Sequence, residues 1–464
     1  MNIILFIPNI NSVRVFINGK EERTCFRDSE EWVVSDYEEA IPFELQEKIN
    51  KTIDKGNSRI PEKYKDFDFT KVSFACKHDG TIINTIDDAT LYCYLPTNAS
   101  WGLPFLMNTD MIPKGDRNDI ETEVKLTDEE ETNFNEELAA IAGSKLFMWV
   151  KDLLTSRKYH LGSVFSLVPD FKKCKKEHKD YTNFIDKFAE AFDKCLESDQ
   201  IVPVPQGIAL INSVILDTTG LSSSGIMTDA EFLHFTGKED YYLPLSMLRL
   251  DKNFNSFLRR YASDDMKFTK DDLTDLIVNE DFQEWLKVQE NNHKFLRFLL
   301  DNDYLEDLLD EKLFLEDKGS LQTASVLYYD VDEYLEDLQA FTNHIYFLSR
   351  ETREYFNGNE KWDKVIDGKF ARFNPKDFVN SNLLSQQNME ETIEKLKDKN
   401  TSIHFFKFLA ENVEFSQAYK DLPYVNDEDM LVDSFNSDFI FVENEEGKLQ
   451  TKAKWLEGVP FSFI

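Results

Sequence analysis

Over roughly the first 120 positions apolar residues come in short runs broken by turn residues, and afterwards they recur at helical spacing. Residues 3–7 form one run. Residues 13–17 and 22–26 flank Asn18-Gly19, a pair that favours a two-residue hairpin turn. Residues 32–34, 72–75 and 89–95 read as further strands, with His78-Asp79-Gly80 turning between the last two, and 43–53 has helix-compatible spacing. Beyond Leu95 come Pro96, a loop through Asn98 and Trp101, and the apolar run 103–107. A polar turn follows, ending in Lys114-Gly115-Asp116-Arg117-Asn118-Asp119. Between residues 128 and 154, Leu138, Ile141, Ala142, Leu146, Trp149, Val150 and Leu153 recur mostly at three and four, which predicts one long packing helix. Strands followed by a covering helix predict an α+β domain, a mixed sheet with packing helices, over residues 1–165.

The rest of the chain predicts mostly α-helical modules with β-hairpin insertions, over 166–330 and 331–464. Three segments share one shape: IVPVPQGIALINSVIL (201–216), LFLEDKGSLQTASVL (313–327) and FIFVENEEGKLQTKAKWL (439–456). Each is an apolar strand, a polar turn with Gly207, Gly319 or Gly447, a second short strand and an apolar pair. The last two share G-x-L-Q-T, and a helix precedes each. HKFLRFLLDNDYLEDLL (293–309) resembles HFFKFLAENVEFSQAY (404–419), and 181–196 sets Phe184, Phe188, Ala191, Phe192 and Cys195 on one face. This predicts degenerate modules of roughly 110–130 residues that stack as solenoid repeats do. The glycines are explained by the positive φ of a hairpin turn. The chain ends soon after the third hairpin with no capping helix, so the array is expected to continue beyond it.

Length and charge narrow the picture. At 464 residues the chain exceeds what one core usually covers. Aromatics at 13%, with 39 Phe, favour a folded protein despite a formal net charge of −34. That charge argues against direct, nonspecific nucleic-acid binding, because no net basic surface exists to displace counterions. The densest basic cluster, Lys172, Lys173, Lys175 and Lys176, reads as a solvated helix flank. Five cysteines, an odd number with no C-x-x-C pair, read as reduced thiols of a cytoplasmic protein, with Cys76 and Cys93 in the core. No apolar run is long enough for a membrane span.

Motif chemistry is sparse. The seven histidines never form H-x-H or H-E-x-x-H, and 425–433 does not fit a calcium loop, so no metal is expected. The helix-opening His293 and His404 are expected to pack or cap. The chain has no G-x-S-x-G, no Walker A lysine motif and no G-x-G-x-x-G. LSSSGI (221–226) is a weak candidate anion cradle, and Glu445-Glu446-Gly447-Lys448 is better explained as a hairpin turn than as a nuclease motif. Arg117, beside Lys114 in a glycine-containing loop, can present a bidentate fork to a phosphate. The competing reading pairs it with Asp116 or Asp119.

The opening ILFIPNINSVRVF, the stretch LYCYLPTNASWGLPFLMNTDMIPKGDRNDI and the helix NFNEELAAIAGSKLFMWVKDL together resemble the segment that follows the ATPase domain in sacsin-like and NO VEIN-like members of the GHKL ATPase superfamily. These are relatives of the ninety-kilodalton heat-shock chaperones. The middle stretch is similar to the family's "LPT…GLPF…NxDF…SREDI", and the helix to its "WN…L", with Phe134 where Trp is common. The resemblance implies a middle, transducer domain that docks on a nucleotide domain and offers an arginine loop to the ATP γ-phosphate. The matching residue here is Arg117. Where the family has Ser-Arg-Glu, this chain has Gly-Asp-Arg-Asn, which sets an acid beside the arginine. The family's helical Glu/Asn motif and D-x-G-x-G motif are both missing; Asp217-Thr218-Thr219-Gly220 lacks the second glycine and comes too late.

The expectation is therefore a non-catalytic portion of a chaperone-like GHKL ATPase, C-terminal to an ATPase domain, with a role in stress response or phage defence. It would hold no cofactor of its own, and Mg-ATP would belong to the missing domain. Its partners would be a GHKL ATPase domain, in cis or in trans, and a protein client, with neither nucleic acid nor membrane. The pattern sets no oligomeric state. The alternative is a stand-alone acidic scaffold or DNA mimic that binds a basic partner, which requires a continuous acidic stripe on one face.

Overall fold

The computed structural model describes residues 5–6, 10, 12–26, 31–56, 59–126, 133–329, 338, 340–341, 345–413, 422, 424–425, 431–432, 441–443 and 449–451. Two compact units emerge, Met1–Gly225 with Asp229–Thr269, and Lys270–Ile464 with Ile226–Thr228. This division differs from the segments 1–165, 166–330 and 331–464 drawn from the sequence pattern. In the first unit one hydrophobic cluster runs from Val33 to Met266, and Phe165 packs on Phe254 and Phe257 at 4.9 and 4.8 Å.

The first unit carries the expected mixed sheet with packing helices. β1 (Ser12–Ile17) and β2 (Lys20–Phe26) form the hairpin across Asn18-Gly19. Of the run 3–7 only Leu5 and Phe6 are described; both are buried in a 3-10 turn rather than a strand. β3 (Trp32–Ala40), α1 (Phe43–Asp54), β4 (Phe69–His78), β5 (Ile83–Asn84), β6 (Thr90–Cys93), β7 (Leu95–Ser100) and β8 (Leu106–Thr109) follow. The sheet order is β3-β4-β8-β6-β7, with β5 beside β4; only β6 and β8 pair in parallel. Alternation along β4 sends Val72, Phe74 and Cys76 to one face and Ala75 to the other.

Residues 89–95, expected as one strand, break at Tyr94. Its φ of 65° turns the chain back, so the expected loop through Asn98 is the edge strand β7. Tertiary bonds cause this. The Tyr94 amide donates to buried Asn108 Oδ1 at 2.8 Å, and the phenol donates to buried Asp110. Pro96 is tolerated because an edge strand needs no amide on its free side.

The long helix α2 (Phe134–Ser156) covers the sheet. Its start is set by Asn133, whose side chain accepts from the Asn135 amide; residues 128–132, which the pattern placed at its head, lie outside the described residues. Trp149 stacks on Phe74 at 5.0 Å, with Phe105 edge-on to both. α3 (Leu161–Phe165) and α4 (Phe171–Glu177) lead to α5 (Thr182–Ser198), which lies against α2. Backbone contact there is close enough to require glycine: a Cβ on Gly143 would sit 2.0 Å from the Phe188 carbonyl oxygen.

A repeated unit follows α5, as the sequence pattern anticipated. In the first unit it comprises β9 (Val202–Val204) and β10 (Gly207–Ala209), a 3-10 turn at Ile211–Ser213, and β11 (Leu216–Asp217). Next come α6 (Asp229–Phe235), α7 (Ser246–Arg249), α8 (Lys252–Tyr261) and β12 (Lys267–Phe268), which pairs with β11 in parallel.

The second unit is mostly helical with small strand pairs. It opens on α9 (Asp272–Val278), α10 (Glu280–Leu286) and α11 (Gln289–Asp301), then repeats the plan. β13 (Phe314–Leu315) and β14 (Leu321–Gln322) form a hairpin, followed by a 3-10 turn at Ala324–Val326 and β15 (Leu327–Tyr328), parallel to β16 (Tyr346–Phe347). α12 (Arg350–Phe356), α13 (Glu360–Lys369), the short α14 (Pro375–Asp377), α15 (Met389–Lys395) and α16 (Lys399–Asn412) complete it, with the pairs β17 (Tyr424–Val425)/β18 (Leu431–Val432) and β19 (Phe441–Glu443)/β20 (Leu449–Thr451). Gly207 and Gly319 hold φ of 142° and 86°; Gly447 lies outside the described residues. Among the described residues no helix is long and apolar enough to cross a membrane.

Candidate functional site

The loop 113–120 leaves the end of β8 as a short two-stranded stem. Pro113 bridges Ile120, Glu121 N donates to Ile112 O at 2.9 Å, and Lys114 N donates to Asp119 O at 2.8 Å. Buried Asn135, in the first turn of α2, clamps the stem from beneath. Its amide accepts from Ile112 N (2.8 Å) and donates to Ile112 O (3.0 Å) and Glu121 O (2.7 Å). The stem also extends the sheet edge, with Asn98 N of β7 donating to Asn118 O at 2.8 Å.

The tip places Arg117 in solvent at φ 60°, with its own amide donating to Lys114 O at 2.8 Å. The left-handed region falls on arginine, not on neighbouring Gly115 or Asn118. That arrangement costs about 1–3 kcal/mol, and such strain concentrates at functional loops. The neighbouring acids are engaged elsewhere. Asp116 accepts from the Asn118 amide (3.0 Å) and side chain (3.2 Å). Asp119 Oδ2 takes Lys114 Nζ at 2.7 Å, and Oδ1 takes the Tyr181 hydroxyl at 2.6 Å and Ile120 N at 2.8 Å. Among the described residues the Arg117 guanidinium therefore has no partner. Lys114, in contrast, is already paired.

Electrostatics at the loop follow from these bonds. Burial works to raise the Asp119 pKa, but hydrogen bonds from Lys114, Tyr181 and Ile120 outweigh it and hold the carboxyl below its ordinary value. The Tyr181 phenol is pushed up by burial and by Asp119, so it stays protonated as a donor. Asp110, just after β8, is buried. Its Oδ2 accepts from Thr70 Oγ1 (3.0 Å) and Lys71 N (2.8 Å), and its main-chain oxygen accepts from Tyr64 (2.8 Å).

Arg117 and Lys114 were legible as candidates; Asn135, Asp110, Tyr94 and Tyr181 were not. A single acid inside the apolar stretch LPFLMNTDMI was the available signal for Asp110, since a carboxylate there must be buried and bonded. The other candidates come to less. In LSSSGI the Ser222 amide, and just upstream the Thr219 and Gly220 amides, already donate to the Asp217 carboxylate at 2.7, 2.8 and 3.1 Å, so this segment is closed by its own acid. In the lysine cluster, Lys175 pairs with Asp186 at 2.5 Å. Residues 444–448, with the Glu-Glu-Gly-Lys motif, lie outside the described residues.

Among the described residues no group of three or more His, Cys, Asp or Glu is placed to hold a metal ion. Compared with protein-family models, curated proteins and solved structures, the chain matches none.

Proposed function

We propose that this chain is the non-catalytic transducer and partner-binding portion of a large, chaperone-like GHKL ATPase, acting on a nucleotide domain supplied in cis or in trans. The observation that carries the reading is the Arg117 loop. A guanidinium with no partner among the described residues is held at a strained tip, on a stem clamped by a buried asparagine. A group so placed can fork onto the terminal phosphate of a nucleotide bound by a neighbouring domain and stabilise charge there as the phosphoryl group departs. The chain's own contribution is positioning; Mg-ATP would be bound by the partner. The helical modules would present surfaces to a protein client, in stress response or phage defence.

A cytoplasmic setting accords with the thiols. Burial pushes Cys76 and Cys93 up to about 12 and Cys174 up to about 11, which leaves them protonated and inert.

The test is ATP turnover by a sacsin-like GHKL domain with and without this chain. The chain is expected to stimulate turnover. Arg117→Ala is expected to lower the stimulated rate by about tenfold or more, well inside what an arginine supplied in trans contributes. Arg117→Lys keeps the charge but loses the fork, and should restore only part of it. Turnover indifferent to the chain, or to Arg117→Ala, removes the claim.

A further inference from the structure

One carboxylate joins the arginine loop to the helix behind it. Asp119 Oδ2 holds Lys114 Nζ (2.7 Å), and Oδ1 holds the Tyr181 hydroxyl (2.6 Å). Tyr181 is the residue immediately before α5, the helix that packs against α2 across Gly143. Among the described residues the Tyr181–Asp119 bond is the one side-chain hydrogen bond between loop 113–120 and α5 or its cap. The Tyr181 ring is seated independently, 6.5 Å from Phe184, which stacks in turn on Trp101 at 5.8 Å. Removing the hydroxyl thus removes the tie without emptying the ring's site.

We propose that Lys114, Asp119 and Tyr181 form a relay that reports anion binding at Arg117 to the head of α5. The inference rests on the reading that the loop engages phosphate. Lys114 is half-exposed and lies three residues from Arg117, so a phosphate held by the guanidinium competes with Asp119 for its ammonium. When Lys114 moves to the phosphate, Asp119 loses its ion pair with Lys114 and stands beside a new negative charge. Two effects then act in the same direction. The unshared charge strengthens the bond from Tyr181, because hydrogen bonds to an ion gain with its charge. Repulsion by the phosphate also drives the carboxylate away from the tip, toward Tyr181. Anion binding therefore tightens the start of α5. By reciprocity, the Tyr181 hydroxyl strengthens anion binding. Asp119 and Tyr181 are positioning residues; neither touches the ligand.

The probe is inorganic tripolyphosphate, added to the full chain without magnesium. Amide hydrogen exchange is followed over residues 113–120 and over the first two turns of α5, and Kd is measured by calorimetry. In the wild-type chain the anion should slow exchange at both places. Tyr181→Phe should leave the unliganded exchange of α5 nearly unchanged, keep the loop response, abolish the α5 response and raise Kd by about fivefold, the lower range of coupling between linked sites. Asp119→Asn should also abolish the α5 response, but it should lower Kd, because the carboxylate that competes for Lys114 and repels the anion is gone. Arg117→Ala should abolish both responses. If the loop responds while α5 does not, or if Tyr181→Phe retains the α5 response, the relay is overturned and the phosphate reading stands. If the wild-type loop itself ignores tripolyphosphate, the phosphate reading fails and the relay falls with it.

Discussion

Asn135 is fully buried, and every bond its amide makes goes to the stem beneath Arg117. Ile112 O has a second donor in Glu121 N, but Ile112 N and Glu121 O have only Asn135 among the described residues. Asn135→Ala should therefore strand one donor and one acceptor and cost about 2–4 kcal/mol. Asn135→Asp is nearly isosteric but sets a carboxylate oxygen against two carbonyl oxygens, so it should cost at least as much. Urea midpoints of the two variants check the order; a milder aspartate would mean that the stem is not held by donation. Nothing in NFNEEL marks the second asparagine over the first, because helix-start asparagines are usually caps. Asn133 does cap; Asn135 reaches across to chain that precedes it by more than twenty residues. Arg117 was visible because its chemistry is in the side chain alone. Its freedom from Asp116 and Asp119 was not, because that depends on Asn118, Lys114 and Tyr181 taking those acids first.

At the scale of elements, the hairpin repeat was readable from its glycines and from G-x-L-Q-T, but the arginine that follows the first two copies was not. Arg249 Nε donates to Pro244 O at 2.8 Å, and Arg353 Nε donates to Leu348 O at 3.1 Å, both five residues back. Each arginine also reaches the chain near the repeat's inner strand, at Ser222 O (2.8 Å) and Tyr329 O (3.4 Å). The surrounding residues, YLPLSMLR and YFLSRETR, share only the first tyrosine and the final arginine at equal spacing, too little to detect without knowing what the guanidinium holds. The Arg249 side chain is buried and also forks onto Asp229. Its role is geometric, so Arg249→Lys and Arg249→Met should destabilise to similar degrees, by about 2–3 kcal/mol each. Arg353→Met, with longer bonds, should cost less; thermal melts of the three variants compare them. Of the two histidines expected to pack or cap, His293 packs. His293 lies in the second turn of α11, 4.5 Å from the Tyr355 ring, with Gln289 Nε2 at 2.5 Å and Thr352 Oγ1 at 3.2 Å from its Nε2. With Gln289 as donor the ring is a neutral acceptor, and burial lowers its pKa against a weaker upward pull from Glu351. The unfolded chain takes up a proton near pH 6.5 that the folded one resists, so this contribution is present above that pH and is lost as pH falls toward the folded value. Urea midpoints at pH 7.5 and 5.5 should drop further in the wild type than in His293→Gln; equal drops would assign the loss to carboxylates.

For the whole molecule the governing quantity is 87 acidic residues against 53 basic ones. Many of the bases are committed to local pairs, such as Lys294–Glu290, Arg297–Asp301, Arg350–Glu354 and Lys395–Glu391 at helical i,i+4 spacing. Exposed pairs of this kind contribute only about 0–1 kcal/mol each, so salt screening has little pairing energy to remove. The acids in excess act over longer range. At 0.01 M ionic strength the screening length is about 30 Å, which spans much of a compact unit, and at 0.15 M it is about 8 Å, which isolates most surface charges from one another. Salt should therefore relieve repulsion faster than it erodes pairing, and Tm should rise with NaCl over that range. The rise should be shared by charge-neutral substitutions such as Arg117→Gln offset by Asp116→Asn, since no single loop sets it. A Tm that falls with salt would mean that pairing, not net repulsion, dominates the surface. It would also mean that the acids are arranged more favourably than their number implies, as a continuous acidic face for a basic partner would not be.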